Sequence, residues 1–235
     1  MIYIFIMNYF TDSPLINALD LASPPPPSSP FIKIFNNFLP ASLCDKLIDF
    51  FQKNGSHHIK NKTVGDNMRE RELMKKNISK EIVSDRISWG LLIDDLVKQK
   101  PDNMEYRQIY DIIYKVFDRG IKKYLRETPN KLKTKRFEDE NYFITKYDKG
   151  MGHYTWHTDR GLISSKTSNR FLSAILYLND VSEGGETEFF GREKLKVTPE
   201  KGKLLIFPSG WTFIHRGVMP LSGDKYICNN FFRLY

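Results

Sequence analysis

The chain has 235 residues, 40% hydrophobic and 27% charged, with a formal net charge of +8. This balance excludes a disordered polyelectrolyte or a low-complexity fibre and suits one domain with an appendage and a sizeable buried core. Two cysteines, Cys44 and Cys228, exclude a disulfide framework or a cysteine-type zinc site and point to a reducing, cytoplasmic setting.

The positive charge favours anionic partners, and both a dicarboxylate and nucleic acid meet that condition. The lysines of residues 53–135 are not interleaved with aromatics as a nucleic-acid platform requires, which argues against the second. Met1 to Phe10 is apolar but short, broken by Asn8, and has neither a basic leader nor a small-residue cleavage site. It is therefore not expected to be a signal peptide. No apolar run approaches the ~20 residues of a membrane span. Residues 1–30 read as a Pro-rich N-terminal extension. Pro24 to Pro27 are consecutive prolines flanked by Ser23, Ser28, Ser29 and Pro30, a composition for an extended polyproline II spacer or docking segment.

Phe31 to Phe38 alternates and predicts a leading strand. Ser42 then precedes an amphipathic helix carrying Leu43, Leu47, Ile48 and Phe51, with Gly55 as its stop. Two more helices are expected over residues 79–99 and 104–126. The second has a stripe of Ile109, Ile112, Ile113, Val116, Phe117, Ile121 and Tyr124 that reads as core. Residues 41–126 thus predict a helical support covering one face of a sheet. Beyond Pro129 the pattern changes to short aromatic and β-branched runs at 141–147, 153–158, 171–178, 186–190, 203–207, 212–216 and 225–233, separated by turn-formers such as Asp148-Lys149-Gly150 and Glu183-Gly184-Gly185. The expected fold is an all-β core over about 140–235, a double-stranded β-helix or jelly roll buttressed by N-terminal α-helices.

The chemistry concentrates in Tyr154-Thr155-Trp156-His157-Thr158-Asp159. On a strand, residues two apart share a face, so His157 and Asp159 would offer ligand atoms to one ion, and Trp156 would point away. His215, in a later expected strand, is the third candidate. Two imidazoles and one carboxylate on one face of an octahedron leave three positions open, the arrangement of non-haem Fe(II) oxygenases. A structural zinc would need a fourth ligand. The tripeptide alone is weak evidence; its surroundings carry the case.

Those surroundings resemble a known family. Tyr147-Asp148-Lys149-Gly150 through Tyr154 to His157-Thr158-Asp159, then Tyr177-Leu178-Asn179-Asp180, Gly184-Gly185-Glu186-Thr187, and finally Lys203 to Pro208, His215, Gly223 and Lys225 are similar to the ordered motifs of the prolyl 4-hydroxylase-type 2-oxoglutarate/Fe(II)-dependent dioxygenase superfamily. The resemblance is strong over 140–235 and weak over 31–60. It implies that residues 31–235 form a dioxygenase domain. It also implies Fe(II) held by His157, Asp159 and His215, with 2-oxoglutarate and O2 as co-substrates and ascorbate as an accessory. Lys225 would pair with the distal carboxylate of 2-oxoglutarate, Tyr177 would donate its hydroxyl to the same group, and Tyr147 would line that pocket. Thr187 is a weaker candidate for the pocket, and Arg160 and Arg216 for substrate contact. The carboxylate at position 159 argues for hydroxylation over halogenation, which needs a small residue there. The implied reaction hydroxylates an organic substrate, foremost a prolyl residue in a peptide or protein, releasing succinate and CO2. A free amino acid, nucleobase or small metabolite is an alternative substrate, and a non-catalytic metal- or ligand-binding jelly-roll module is the alternative of another class. Residues 160–170 read as a mobile lid beside the site.

Overall fold

The short runs of the second half pair into two antiparallel sheets because each run has one face to bury and turn residues at both ends. The computed structural model describes residues 29–61, 84–128, 137–161, 167–191 and 195–234. Its strands, in chain order, are β1 (Lys33–Phe35), β2 (Ile59–Lys60), β3 (Arg86–Ile87), β4 (Trp89–Leu92), β5 (Phe137–Asp139), β6 (Phe143–Tyr147), β7 (His153–His157), β8 (Arg170–Tyr177), β9 (Thr187–Phe189), β10 (Lys196–Val197), β11 (Leu204–Pro208), β12 (His215–Gly217) and β13 (Lys225–Leu234). The helices are α1 (Ala41–Lys53), α2 (Ile93–Gln99) and α3 (Met104–Glu127).

The larger sheet runs β1-β11-β8-β13-β6-β4-β2, with β5 also paired to β13; the smaller runs β10-β9-β12-β7-β3. Non-sequential neighbours in both sheets give the jelly roll expected from the sequence. Alternation in the large sheet feeds two cores. Leu172, Ala174 and Leu176 of β8, Leu204 and Ile206 of β11, and Cys228 and Phe232 of β13 meet the helices, where Leu47, Phe50 and Phe51 of α1 and Ile109, Ile113, Phe117 and Tyr124 of α3 are buried. The opposite positions, Tyr177, Leu205, Phe207 and Ile227, meet Phe189 and Val197 of the small sheet. Each such side chain, fully buried, contributes about 1.5–3 kcal/mol. The helices therefore brace the outer face of the sheet whose inner face builds the site.

Several expectations change. The helix over 79–99 survives only as α2; residues 86–92 are strands, and 79–83 lie outside the described residues. β4 pairs with β6, Leu91 opposite Ile144, and sheet pairing overrides the helical reading. Ile87, Trp89 and Leu91 in fact alternate with period two. The support region 41–126 thus also supplies β2, β3 and β4. The leading strand is shorter than 31–38. The strand over 212–216 begins only at His215, because Trp211–Phe213 forms a 3₁₀ turn. Ser42 does not cap α1; Pro40 occupies that position, with no side-chain cap bond. The Pro-rich extension falls on residues 1–28, outside the described residues, as does 162–166 of the expected lid. Among the described residues no helix is long and apolar enough to cross a membrane.

Gly202 locks the N-terminal segment to the turn before β11. Its φ is +79° and its carbonyl accepts from the backbone N–H groups of Phe38 (2.7 Å) and Leu39 (3.1 Å). A Cβ there would collide with the Leu39 carbonyl oxygen. Gly202→Ala is expected to destabilise the fold by about 1–3 kcal/mol, from left-handed strain plus the collision, read as a lower denaturant midpoint at unchanged m-value.

Candidate metal centre

β7 and β12 are neighbours in the small sheet, and their register sets His157 directly opposite His215. The two imidazole rings stand 4.2 Å apart, centroid to centroid. Asp159 lies just past the end of β7. The Arg160 N–H donating to Ser209 O (3.0 Å) and Arg170 Nη1 donating to Asp159 O (3.1 Å) hold this stretch in place. Its carboxylate oxygens come within 3.5 Å of His157 Nε2 and of His215 Nε2. One ligand atom from each of the three residues lies within 4.8 Å of the other two, and among the described residues no other such group of three occurs.

The neighbours of these side chains prepare them for a cation. His157 Nδ1 lies 2.7 Å from Thr155 O, and His215 Nδ1 lies 3.1 Å from Phe213 O. A carbonyl only accepts, so both Nδ1 atoms carry the proton and both Nε2 lone pairs face the carboxylate. Burial pushes His215 down to about 4, so its ring is neutral at neutral pH. Burial works against ionising Asp159, but the Ser173 hydroxyl, donating at 2.6 Å, holds its carboxyl below the usual range. Ser173 Oγ is also 2.8 Å from Ser209 Oγ, so the carboxylate rests on a hydroxyl pair. This donor set fits Fe(II): neutral imidazoles, one oriented carboxylate and no fourth ligand.

A cavity of about 370 Å³ opens beside the three residues, and Tyr147, Tyr154, Thr187, Lys225 and Ile227 are among those lining it. Lys225 begins β13 opposite Tyr147 and is only 3% exposed. Its Nζ sits 5.4 Å from the Tyr147 ring centre and 5.6 Å from that of Tyr177, with no hydrogen bond or ion pair among the described residues. Burial pushes its ammonium down to about 7, opposed only by the charge of Glu186. A buried cation with no ion-pair partner among the described residues, at a cavity wall, fits a carboxylate ligand.

Tyr147 lines this cavity. Tyr177 does not. It is fully buried behind Thr187, and its hydroxyl donates to Thr187 Oγ1 at 2.6 Å, so Thr187 presents the polar atom to the cavity. Trp156 is 40% exposed and faces away from the cavity. Arg216 also lines the cavity, but Glu188 takes its charge (2.5 Å) and its guanidinium stacks on Trp156. Arg160 donates to Ser168 O at 2.6 Å.

Three neighbours escape the sequence reading. Tyr154 stacks on His157 at 3.4 Å although strict alternation puts them on opposite faces. The ladder runs from His215↔His157 to Gly217↔Tyr154, so β7 carries one extra residue and the bulge turns both rings to one side. Ser173 was legible as a lone hydroxyl in the apolar run of β8. Arg170 was not, since its role depends on Glu140, which it grips through two 2.6 Å bonds.

Comparison with known proteins agrees with this geometry. Residues 142–233 match the family described as the 2OG-Fe(II) oxygenase superfamily. No curated protein sequence matches the chain. Among solved structures, it is similar to the viral collagen prolyl hydroxylase of Paramecium Bursaria Chlorella virus-1 in its 2OG complex, at 19% identity and TM-score 0.56, covering 87% of this chain and 97% of that one. A prolyl hydroxylase from Trichoplax adhaerens, in complex with a hypoxia inducible factor oxygen degradation domain peptide fragment, aligns at 16% identity and TM-score 0.61, covering 87% and 84%. A Pseudomonas putida prolyl-4-hydroxylase aligns at 20% identity and TM-score 0.57, covering 86% and 92%. At these identities the structural likeness shows the fold.

A divalent ion that binds only the folded state should stabilise it by about 2.7 kcal/mol at one hundred times its dissociation constant. Fe(II) under anaerobic conditions is expected to raise the melting temperature of the wild type, and Asp159→Ala should remove that rise. An unchanged rise in the variant would place the ion elsewhere.

Proposed function

We propose that this chain, whose residues 142–233 match the 2OG-Fe(II) oxygenase superfamily, is a dioxygenase that uses Fe(II), 2-oxoglutarate and O2 to hydroxylate a prolyl residue of a peptide or protein, with release of succinate and CO2. One observation carries this reading: the His157–Asp159–His215 donor set and the uncompensated Lys225 ammonium face a single cavity. The prolyl substrate rests on the likeness to structures of prolyl hydroxylases, one of them holding a peptide.

Bound Fe(II), with 2-oxoglutarate and O2, supplies the oxidising power that replaces a substrate C–H by C–OH. The protein's part is binding, orientation and exclusion of water. His157 and His215 offer neutral Nε2 atoms fixed by their Nδ1–H bonds, and Asp159 offers a carboxylate steadied by Ser173. Lys225 meets the far carboxylate of the 2-oxo acid at the buried end of the cavity. Thr187, whose oxygen accepts from Tyr177, turns its own O–H to donate to that carboxylate. Tyr147 and Ile227 close the apolar wall around the methylene carbons.

Lys225 gives this binding a pH dependence of determined sign. The carboxylate selects the ammonium form, which is already present below pH about 7 in the free protein. Above that pH, binding must take up a proton, so 2-oxoglutarate affinity falls by up to about tenfold per pH unit until the bound-state pKa is reached. Titrations at pH 6.5 and 8.5 should show this weakening. Lys225→Arg, charged throughout, should flatten it.

The reaction itself is tested by incubating the holoenzyme with Fe(II), ascorbate and 2-oxoglutarate, with proline-rich and collagen-like peptides and with small metabolites. Succinate release together with one added oxygen on a prolyl residue is the expected result. His157→Ala should reduce succinate to background. Succinate production by that variant at the wild-type rate would refute the assignment.

A further inference from the structure

The cavity wall is electrostatically one-sided. Lys60, Arg86, Arg170, Arg216 and Lys225 line it, and Asp159 is its one carboxylate among the described residues. Three of these cations have a use. Glu140 neutralises Arg170 with a 2.6 Å ion pair, Glu188 neutralises Arg216, and Lys225 is the anchor for the co-substrate. Arg86 and Lys60 have no carboxylate partner among the described residues.

The fold places Arg86 with some care. It opens β3, and the pairing of that strand with β7 sets it opposite Tyr154. Its Nε donates to Ser88 Oγ at 3.0 Å, and Ser84 Oγ donates to its carbonyl at 2.7 Å. The guanidinium carbon lies 4.9 Å from the Tyr154 ring centre and 5.9 Å from that of Tyr147. Tyr154 in turn stacks on His157. The guanidinium is therefore one aromatic ring away from a metal-binding imidazole. Among the described residues only its Nε is engaged, by Ser88, so its terminal nitrogens are available to a ligand. Lys60 sits on β2, on another part of the same wall.

We propose that Arg86, assisted by Lys60, is a specificity residue that binds a carboxylate of the primary substrate next to the carbon that is hydroxylated. This rests on the dioxygenase reading above and narrows its substrate class: the prolyl residue has an acidic neighbour, or the substrate is a free amino acid whose own α-carboxylate takes that place. Arg86 also stands against Tyr154, which stacks on His157, whereas Lys225 stands against Tyr147 and Tyr177; the substrate carboxylate is assigned to the first cation and the co-substrate carboxylate to the second.

The test uses the holoenzyme and end-capped proline peptides that differ only in Glu, Gln or Lys beside the proline, together with free L-proline. Initial rates are read by mass spectrometry of the added oxygen and by succinate release. With wild type, the Glu peptide should show a KM about tenfold below that of the Gln peptide, as a partly desolvated ion pair implies. Arg86→Gln should bring the two KM values together while moving kcat less. Arg86→Lys should keep part of the preference, and Arg86→Glu should shift it toward the Lys peptide. If free L-proline is the better substrate and Arg86→Gln raises its KM, the α-carboxylate is the source. Equal KM values for Glu and Gln peptides in wild type with no turnover of L-proline, or an unchanged preference in Arg86→Gln, would overturn the role of Arg86 and leave prolyl hydroxylation standing. Succinate release without oxygen on any proline would overturn the prolyl reading instead.

Discussion

The register between β7 and β12 is the constraint on which the site depends. It sets His157 against His215 across one ladder, and a slip of one residue would turn one imidazole to the outer face. β9 fixes β12 from the other side, with Phe189 opposite His215 and Thr187 opposite Gly217. The same three strands therefore decide where the metal-binding nitrogens point and where the hydroxyl of Thr187 enters the cavity.

Charge in the cavity is arranged by burial more than by pairing. Asp159 keeps its charge against the effect of burial because the Ser173 hydroxyl donates to it at 2.6 Å. Lys225 has no such company and sits in a state that a carboxylate ligand would relieve. Arg170 falls between these cases. Glu140 holds it tightly, and although burial opposes ionising that carboxyl, the hydrogen bonds and charge of Arg170 and the contact with Arg233 lower its pKa. Arg170 stacks on Phe231 at 3.6 Å and ties the Asp159 backbone to the end of β13. The stretch that carries Asp159 is thus fastened to the large sheet by the Arg170 hydrogen bond to its carbonyl, and the part-buried Glu140 pair holds that guanidinium in place.

The large sheet serves two purposes through simple alternation. On β8, Leu172, Ala174 and Leu176 pack on the helices, while Ser173 and Ile175 reach the cavity. On β13, Cys228 and Phe232 go one way and Lys225 and Ile227 the other. Helix packing on the outer face therefore holds the inner face rigid, and rigid strands place polar groups more accurately than loops do.

Much of this was legible in the amino-acid order, and the physical reason is locality. The two-residue spacing of His157 and Asp159, the turn-formers between short runs, and the apolar stripe of α3 are each written within a few residues, where strand and helix periods apply directly. Even β3 and β4 carried a readable alternation at Ile87, Trp89 and Leu91, masked by a longer helical stretch around it. What only the tertiary structure decided depends on partners far apart in the chain. The bulge that turns Tyr154 onto His157 exists only against β12. The capture of the Tyr177 hydroxyl by Thr187 needs β8 of the large sheet to face β9 of the small one. The Glu140 grip on Arg170, and the exposure of Arg86 to the cavity without a carboxylate partner among the described residues, arise only when strands from residues 86 to 233 close around one space.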